Sequence, residues 1–156
     1  MSSAEDLLAE AEAQTAAIWG HRSSAAVNRV AGDYDHYRRA FDSFVDRGHA
    51  EQAARFVAAL RDFWCARAQY GEGMAWIDRV LRLDALSADS RSMVLNHAGA
   101  FAFADGKYVS ARRYFEASVD LRRKCDSKRP LALSLTHLAA AVRWGNGDAI
   151  EAVALY

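Results

Sequence analysis

Apolar residues along this chain recur at intervals of three and four, and the stretches between glycine-containing or polar breaks run 10 to 20 residues. That is the period of a helix with one buried face. Strands need alternating β-branched and aromatic runs, and none of useful length appears. The pattern predicts an all-α protein of about seven or eight helices.

The first helix is predicted over about Ala4 to Trp19, with Ser3 as N-cap, Asp6 three residues on in a capping-box pattern, and Gly20 as its end. A second piece over about Ser24 to Val30 leads to Gly32. The next helix, about Asp33 to Asp46, puts Tyr37, Phe41, Phe44 and Val45 on one stripe and is closed by Arg47-Gly48-His49. Later breaks fall at Ala68 to Gly71, Asp84 to Asp89, Asp105-Gly106, Asp126 to Arg129 and Gly145 to Gly147. Turns this short force antiparallel neighbours. Pro130 falls where the first turn of a helix tolerates a missing N–H.

Aligned on their turns, the hairpins share a pattern that is clearest at Leu95, Ala98, Gly99, Ala102, Gly106, Tyr108, Ala111 and Phe115. Gly99 and Ala111 are small where two helices must approach closely, while Tyr108 and Phe115 fill the space beside them. One unit earlier the register gives Val57, Leu60, Trp64, Tyr70, Gly73 and Ile77; one unit later it gives Leu135, Leu138-Ala139, Val142, Gly147 and Ala152.

The pattern resembles the tetratricopeptide repeat, in which a large residue, Leu-Gly, an aromatic and a later Ala-x3-Phe recur. Here Leu95, Ala98-Gly99, Ala102 and Ala111-x3-Phe115 occupy those places, Ala102 being smaller than the usual aromatic. Tyr70 and Tyr108 stand 38 residues apart, longer than the family's unit of about 34. Asp35-His36-Tyr37-Arg38-Arg39-Ala40-Phe41, Arg47-Gly48-His49-Ala50, Phe63-Trp64 and Tyr70-x2-Gly73-x2-Trp76 resemble the helical region following the ATPase module in large bacterial transcriptional activators and signalling ATPases.

The resemblance implies a right-handed α-solenoid of stacked hairpins: N-terminal helices over about 1–48, then hairpins over 49–86, 87–128 and 129–156. It implies a concave groove that holds a protein or peptide segment. Carried over position by position, the groove residues are Arg55, Ala58, Asp62, Cys65 and Ala66, then Met93, Asn96, Ala100, Phe103 and Ala104, then Leu133, Thr136, Ala140, Arg143 and Trp144. Aromatic and arginine side chains in such a set are those that dominate binding hot spots.

Length and charge narrow the function further. At 156 residues the chain fits one domain over 1–156. Twenty basic and twenty acidic residues leave no net charge, so the long-range attraction for nucleic acid or an anionic membrane is missing. Cys65 and Cys125 form no CxxC or His-spaced pattern, and the start, MSSAEDLLAEAEAQ, is acidic where a signal peptide is basic. Those features predict a cytoplasmic protein.

Candidate chemistry is sparse. Arg122 to Arg129 carries five cations and one anion, which a helix C-terminus explains through its dipole. His97 and His137 stand at equivalent places without a carboxylate or cysteine to complete a zinc site. Asp33, Asp35 and His36 look ligand-like, but an acidic cap and first turn account for them. No phosphate loop, HExxH or GxSxG motif occurs. The expectation is a non-catalytic adaptor or sensor module without cofactor or metal, in transcriptional or signalling control. The alternative is an effector-sensing domain with a cleft lined by Trp64, Trp76 and Phe103. The last helix, from about Gly147, leaves Ile150, Val153, Leu155 and Tyr156 open, so further repeats or a second copy are expected to meet the C-terminal hairpin.

Overall fold

A computed structural model describes residues 2–21, 24–125 and 128–146. These residues are all-helical, with seven helices and no strand: α1 (Ala4–His21), α2 (Ser24–Asp46), α3 (Ala50–Ala66), α4 (Tyr70–Leu81), α5 (Ala88–Ala104), α6 (Tyr108–Lys124) and α7 (Lys128–Asn146). No described helix is long and apolar enough to cross a membrane. The expected final helix from Gly147, with Ile150, Ala152, Val153, Leu155 and Tyr156, lies outside the described residues, as do Asp126 and Ser127.

Where the sequence reading treats 1–156 as a single domain, the chain divides into two compact units, Met1–Leu86 and Ser87–Tyr156. The boundary falls in the expected break between Asp84 and Asp89.

Three turns share one geometry. After α2, Gly48 N–H donates to Val45 O (3.0 Å) and His49 N–H to Phe44 O (2.8 Å). After α3, Ala68 N–H donates to Cys65 O (3.3 Å) and Gln69 N–H to Trp64 O (2.9 Å). After α5, Gly106 N–H donates to Phe103 O (3.0 Å) and Lys107 N–H to Ala102 O (2.8 Å). Each is a Schellman closure, whose pivot must adopt left-handed backbone. The pivots have φ of 71° at Gly48, 54° at Ala68 and 73° at Gly106.

In the first unit, α1 packs on α2 and α3, and α3 packs on α2 and α4. The capping box of α1 forms as predicted: Ser3 N–H donates to Asp6 Oδ2 (2.9 Å) and Asp6 N–H to Ser3 Oγ (3.1 Å). The hydrogen bond from the Ser3 backbone, followed by that from its side chain, holds the Asp6 carboxyl below its ordinary pKa. The break expected at Gly32 is absent, and α2 runs unbroken from Ser24 to Asp46. Ala26, Val30, Tyr37, Ala40, Phe41 and Phe44 form one buried stripe across it. A mid-helix glycine costs only about 1 kcal/mol, less than burying a single Phe gains, at about 1.5–3 kcal/mol.

Aromatic rings fill this core. Trp76 stacks on Phe41 at 4.0 Å and meets Trp64 edge-on at 5.2 Å. The Trp64 indole N–H donates to Tyr34 Oη (2.9 Å), and Tyr34 Oη donates to Glu72 Oε1 (2.7 Å), so one phenol ties α2 to α3 and α4. Burial first, then the bond to Glu72, pushes the Tyr34 phenol above its ordinary range.

In the second unit, α6 packs between α5 and α7, which also touch. Ala102, Ala111, Phe115, Val119, Leu138, Ala139, Ala141 and Val142 form its core, with Tyr114, Leu131 and Leu135 against it. The close approach expected at Gly99 is present, since a Cβ there would lie 2.5 Å from Phe115 Cε1.

Two opposite glycine exchanges test these points by urea denaturation. Gly99→Ala drives a methyl into a ring with no room to yield, so stability falls by about 1–3 kcal/mol. Ala68→Gly relieves a left-handed penalty of about 1–2 kcal/mol against an unfolded-state entropy cost of about 0.5–1 kcal/mol. It leaves stability unchanged or raises it by up to about 1.5 kcal/mol. A destabilised Ala68→Gly variant contradicts the turn geometry.

Candidate partner-binding surface

The carried-over positions on α7 share one face of the helix. Leu133, Thr136, Ala140, Arg143 and Trp144 follow a three-to-four spacing, opposite the core-facing Leu138, Ala139, Ala141 and Val142. Leu133 is 51% exposed and Trp144 65%, and Arg143 is also exposed. Val109, at 65%, is the remaining large exposed hydrophobic among the described residues. A Cβ on Gly145 would lie 3.3 Å from Tyr108 Cβ, so the last turn of α7 abuts the α6 turn that carries Val109. Single exposed apolar side chains are ordinary. A tryptophan, a leucine and an arginine aligned on one rigid helix are a more selective combination.

The groove positions on α5 are placed differently. Every residue from Ser90 to Phe103 is buried or half-buried. Met93 is half-buried, and Phe103 packs edge-on to Tyr108 at 5.2 Å and against the core. Asn96 is only 3% exposed and belongs to the interior. Its assignment to a groove surface is therefore corrected.

In the first unit, Arg55 is exposed but grips Glu12 of α1 through two 2.8 Å bonds, which raise the pKa of its guanidinium. The N-terminal half of α3 thus faces α1. Asp62 accepts from its neighbour Arg61 at 2.7 and 2.9 Å, while Cys65 and Ala66 stay exposed. Trp64 and Trp76, expected to line a ligand cleft, are buried and packed on each other.

Beneath the α7 face lies a buried polar network that sequence reasoning missed. Ser92 and Asn96 come from α5, Ser118 and Arg122 from α6, and Ser134 and His137 from α7. Each pair is about one helical turn apart. Ser118 Oγ donates to Ser92 O (2.8 Å) and lies 3.0 Å from Ser134 Oγ. Arg122 Nε donates to Ser92 Oγ (3.2 Å); its Nη1 donates to Ser134 Oγ (2.6 Å) and to the Pro130 carbonyl. Asn96 Oδ1 accepts from Ser134 Oγ (3.2 Å) and lies 3.1 Å from His137 Nδ1. An amide oxygen only accepts, so Nδ1 carries the imidazole proton. His137 also tilts against the Phe115 ring at 5.3 Å.

The sequence explained Arg122 as one of several cations complementing a helix C-terminus, but its side chain is buried, only 6% exposed. Burial lowers its pKa, opposed by Asp89, and its acceptors are hydroxyls and a carbonyl. Arg123 and Lys124 do sit exposed in the last turn of α6. The signal that could have revealed the network was the recurrence of polar pairs one turn apart inside otherwise apolar faces.

Chemically the network pins three helices rather than activating a nucleophile: Ser118 donates to a main-chain carbonyl and Ser134 to an amide. Among the described residues no group of three or more His, Cys, Asp or Glu side chains is placed to hold a metal ion. In comparisons with protein-family models, curated proteins and solved structures, nothing matches this chain.

Ser134→Ala leaves Asn96 and Arg122 short of a buried partner, and stability falls by about 1–3 kcal/mol. Thr136→Ala, on the exposed face with a local bond to Ala132 O, changes stability by no more than about 0.5 kcal/mol. Equal midpoints for the two variants in urea contradict the network.

Proposed function

We propose that this chain is a non-catalytic, cytoplasmic protein-interaction module of tetratricopeptide-like stacked hairpins, acting as an adaptor or sensor in transcriptional or signalling control. The observation that carries the reading is the outward face of α7, where Leu133, Arg143 and Trp144 stand exposed on a helix whose other face is locked into the core. The repeated closure at Gly48, Ala68 and Gly106 supports the stacked-hairpin part.

A partner suited to this face is an extended or helical protein segment, with an apolar side chain for Trp144 and Leu133 and a carboxylate for Arg143. Tryptophan and arginine supply much of the energy at such contacts, and truncating a hot spot costs about 2 kcal/mol or more. A second copy offering its own C-terminal hairpin is one source of such a segment. Asp62 and Cys65 of the first unit remain candidate contacts, whereas Arg55 is engaged by Glu12 and Asn96 is internal. The effector-sensing reading loses support, because Trp64 and Trp76 are spent on core packing.

The test uses the full chain as bait, with Trp144→Ala/Arg143→Glu beside it. Both residues are exposed, so melting temperature and helicity stay nearly unchanged. Capture of partners from the source lysate, and any self-association seen by light scattering, weakens at least tenfold, the equivalent of about 1.4 kcal/mol. Equal retention of the same proteins by both baits defeats the reading.

A further inference from the structure

Leu133 and Trp144 are eleven positions apart on α7. At the pitch of an α-helix that is three turns plus about 20°, so the two side chains stand at opposite ends of one face, about 16 Å apart along the axis. The outward positions between them are small: Ala132, Thr136 and Ala140 follow one another at intervals of four. Thr136 Oγ1 donates to Ala132 O (3.1 Å), so its hydroxyl proton is spent on its own helix. The face is a shallow, mostly apolar trough with a large side chain at each end. At the Trp144 end the abutting turn of α6 adds the exposed Val109.

A chain segment lying in this trough has to satisfy its own backbone groups. Addition to a sheet edge is unavailable, because the described residues hold no strand. An extended segment would need polar side chains along its path. Donors stand only towards the ends of the trough, in Arg129, Arg143 and the Trp144 indole, while its middle offers Thr136 Oγ1 as an acceptor and no donor. Asn96, the one carboxamide among the positions carried over from the repeat pattern, is buried and held by Ser134 and His137. A helix pairs its N–H and C=O groups internally, so it crosses the middle of the trough without leaving them unpaired.

The charge of the face has one sign. No acidic residue occurs anywhere in α7. Arg129 and Arg143 are both exposed, and no ion pair among the described residues reaches either. Carboxylates are the complement of such a surface.

Taking α7 as the contact surface, as above, we propose that its face receives an acidic amphipathic α-helix of about three turns from a partner protein. The apolar stripe of that helix lies over Thr136 and Ala140, between Leu133 and Trp144, and its carboxylates stand beside Arg129 and Arg143. Trp144 and Leu133 supply most of the affinity, because exposed ion pairs are screened and individually weak. The two arginines set the rate and direction of approach and reject a basic helix.

The probe is a displayed library of random peptides about 18 residues long, selected on the full chain and in parallel on Trp144→Ala/Arg143→Glu. Both substituted residues are exposed, so the two baits share helicity and melting temperature. Selection on the native chain enriches net-negative sequences with apolar residues at three-to-four spacing. The synthesised winners gain helicity on mixing with the chain and bind the double variant at least about tenfold more weakly. Lysine in place of their acidic residues weakens binding most at low salt, where charge is least screened, and a central proline, which breaks the helix, abolishes it.

Winners that stay extended or are net-positive overturn the acidic helix, as does an absence of winners or equal binding by the double variant. Self-association that Trp144→Ala abolishes, seen by light scattering, gives the face to a second copy and overturns a separate partner. Where the double variant loses its partners from lysate yet no helical winner emerges, the α7 surface stands and the acidic helix alone falls.

Discussion

A backbone that must reverse between two helices within three residues needs one left-handed residue, and the helical packing depends on that constraint. At Gly48, Ala68 and Gly106 the pivot lets the next N–H reach back five residues, to Phe44, Trp64 and Ala102. The following helix has no freedom to splay, so its first turn lies against the last turn of its predecessor. Small residues then become obligatory where the pair closes, as at Gly99 against Phe115. Alanine at position 68 shows the constraint is strong enough to hold a side chain in unfavourable backbone.

Much of this was legible because the signals are local. Apolar spacing located the helices, glycine or a polar cluster located the turns, and Ser3 with Asp6 marked the first N-terminus down to its reciprocal hydrogen bonds. Gly32 misled because a glycine is read as punctuation from its type, whereas its cost is set against the stripe it interrupts. With Val30 on one side and Tyr37, Phe41 and Phe44 on the other, continuing the helix buries far more than breaking it releases. That error concealed Asp33, which seemed a cap only while a helix seemed to begin there.

The site was less legible because its deciding contacts are long-range. Glu12 and Arg55 are 43 residues apart, and nothing local says that α1 covers that face of α3. Asn96 looked like a groove residue because the repeat pattern, carried over position by position, puts it on the groove-lining face of its helix. It is internal because Ser134 and His137 on another helix offer it two donors. Periodicity tells which face a residue shares, but not whether that face meets water or a polar partner.

The buried network and the exposed α7 face belong to one argument. An apolar seam between α5, α6 and α7 tolerates small slips, because dispersion contacts re-form in neighbouring registers. Hydroxyls, an amide and a guanidinium whose donors must meet stated acceptors do not. Arg122 reaches Ser92 on α5 and Ser134 and Pro130 on α7 from a single guanidinium, so a slip of one turn would leave its charge buried without acceptors, at a cost of several kcal/mol. The register of α7 is thereby fixed from inside. A helix held this way can carry Leu133, Arg143 and Trp144 on its outer face with little motion to lose on binding, and recognition surfaces gain affinity by that preorganisation.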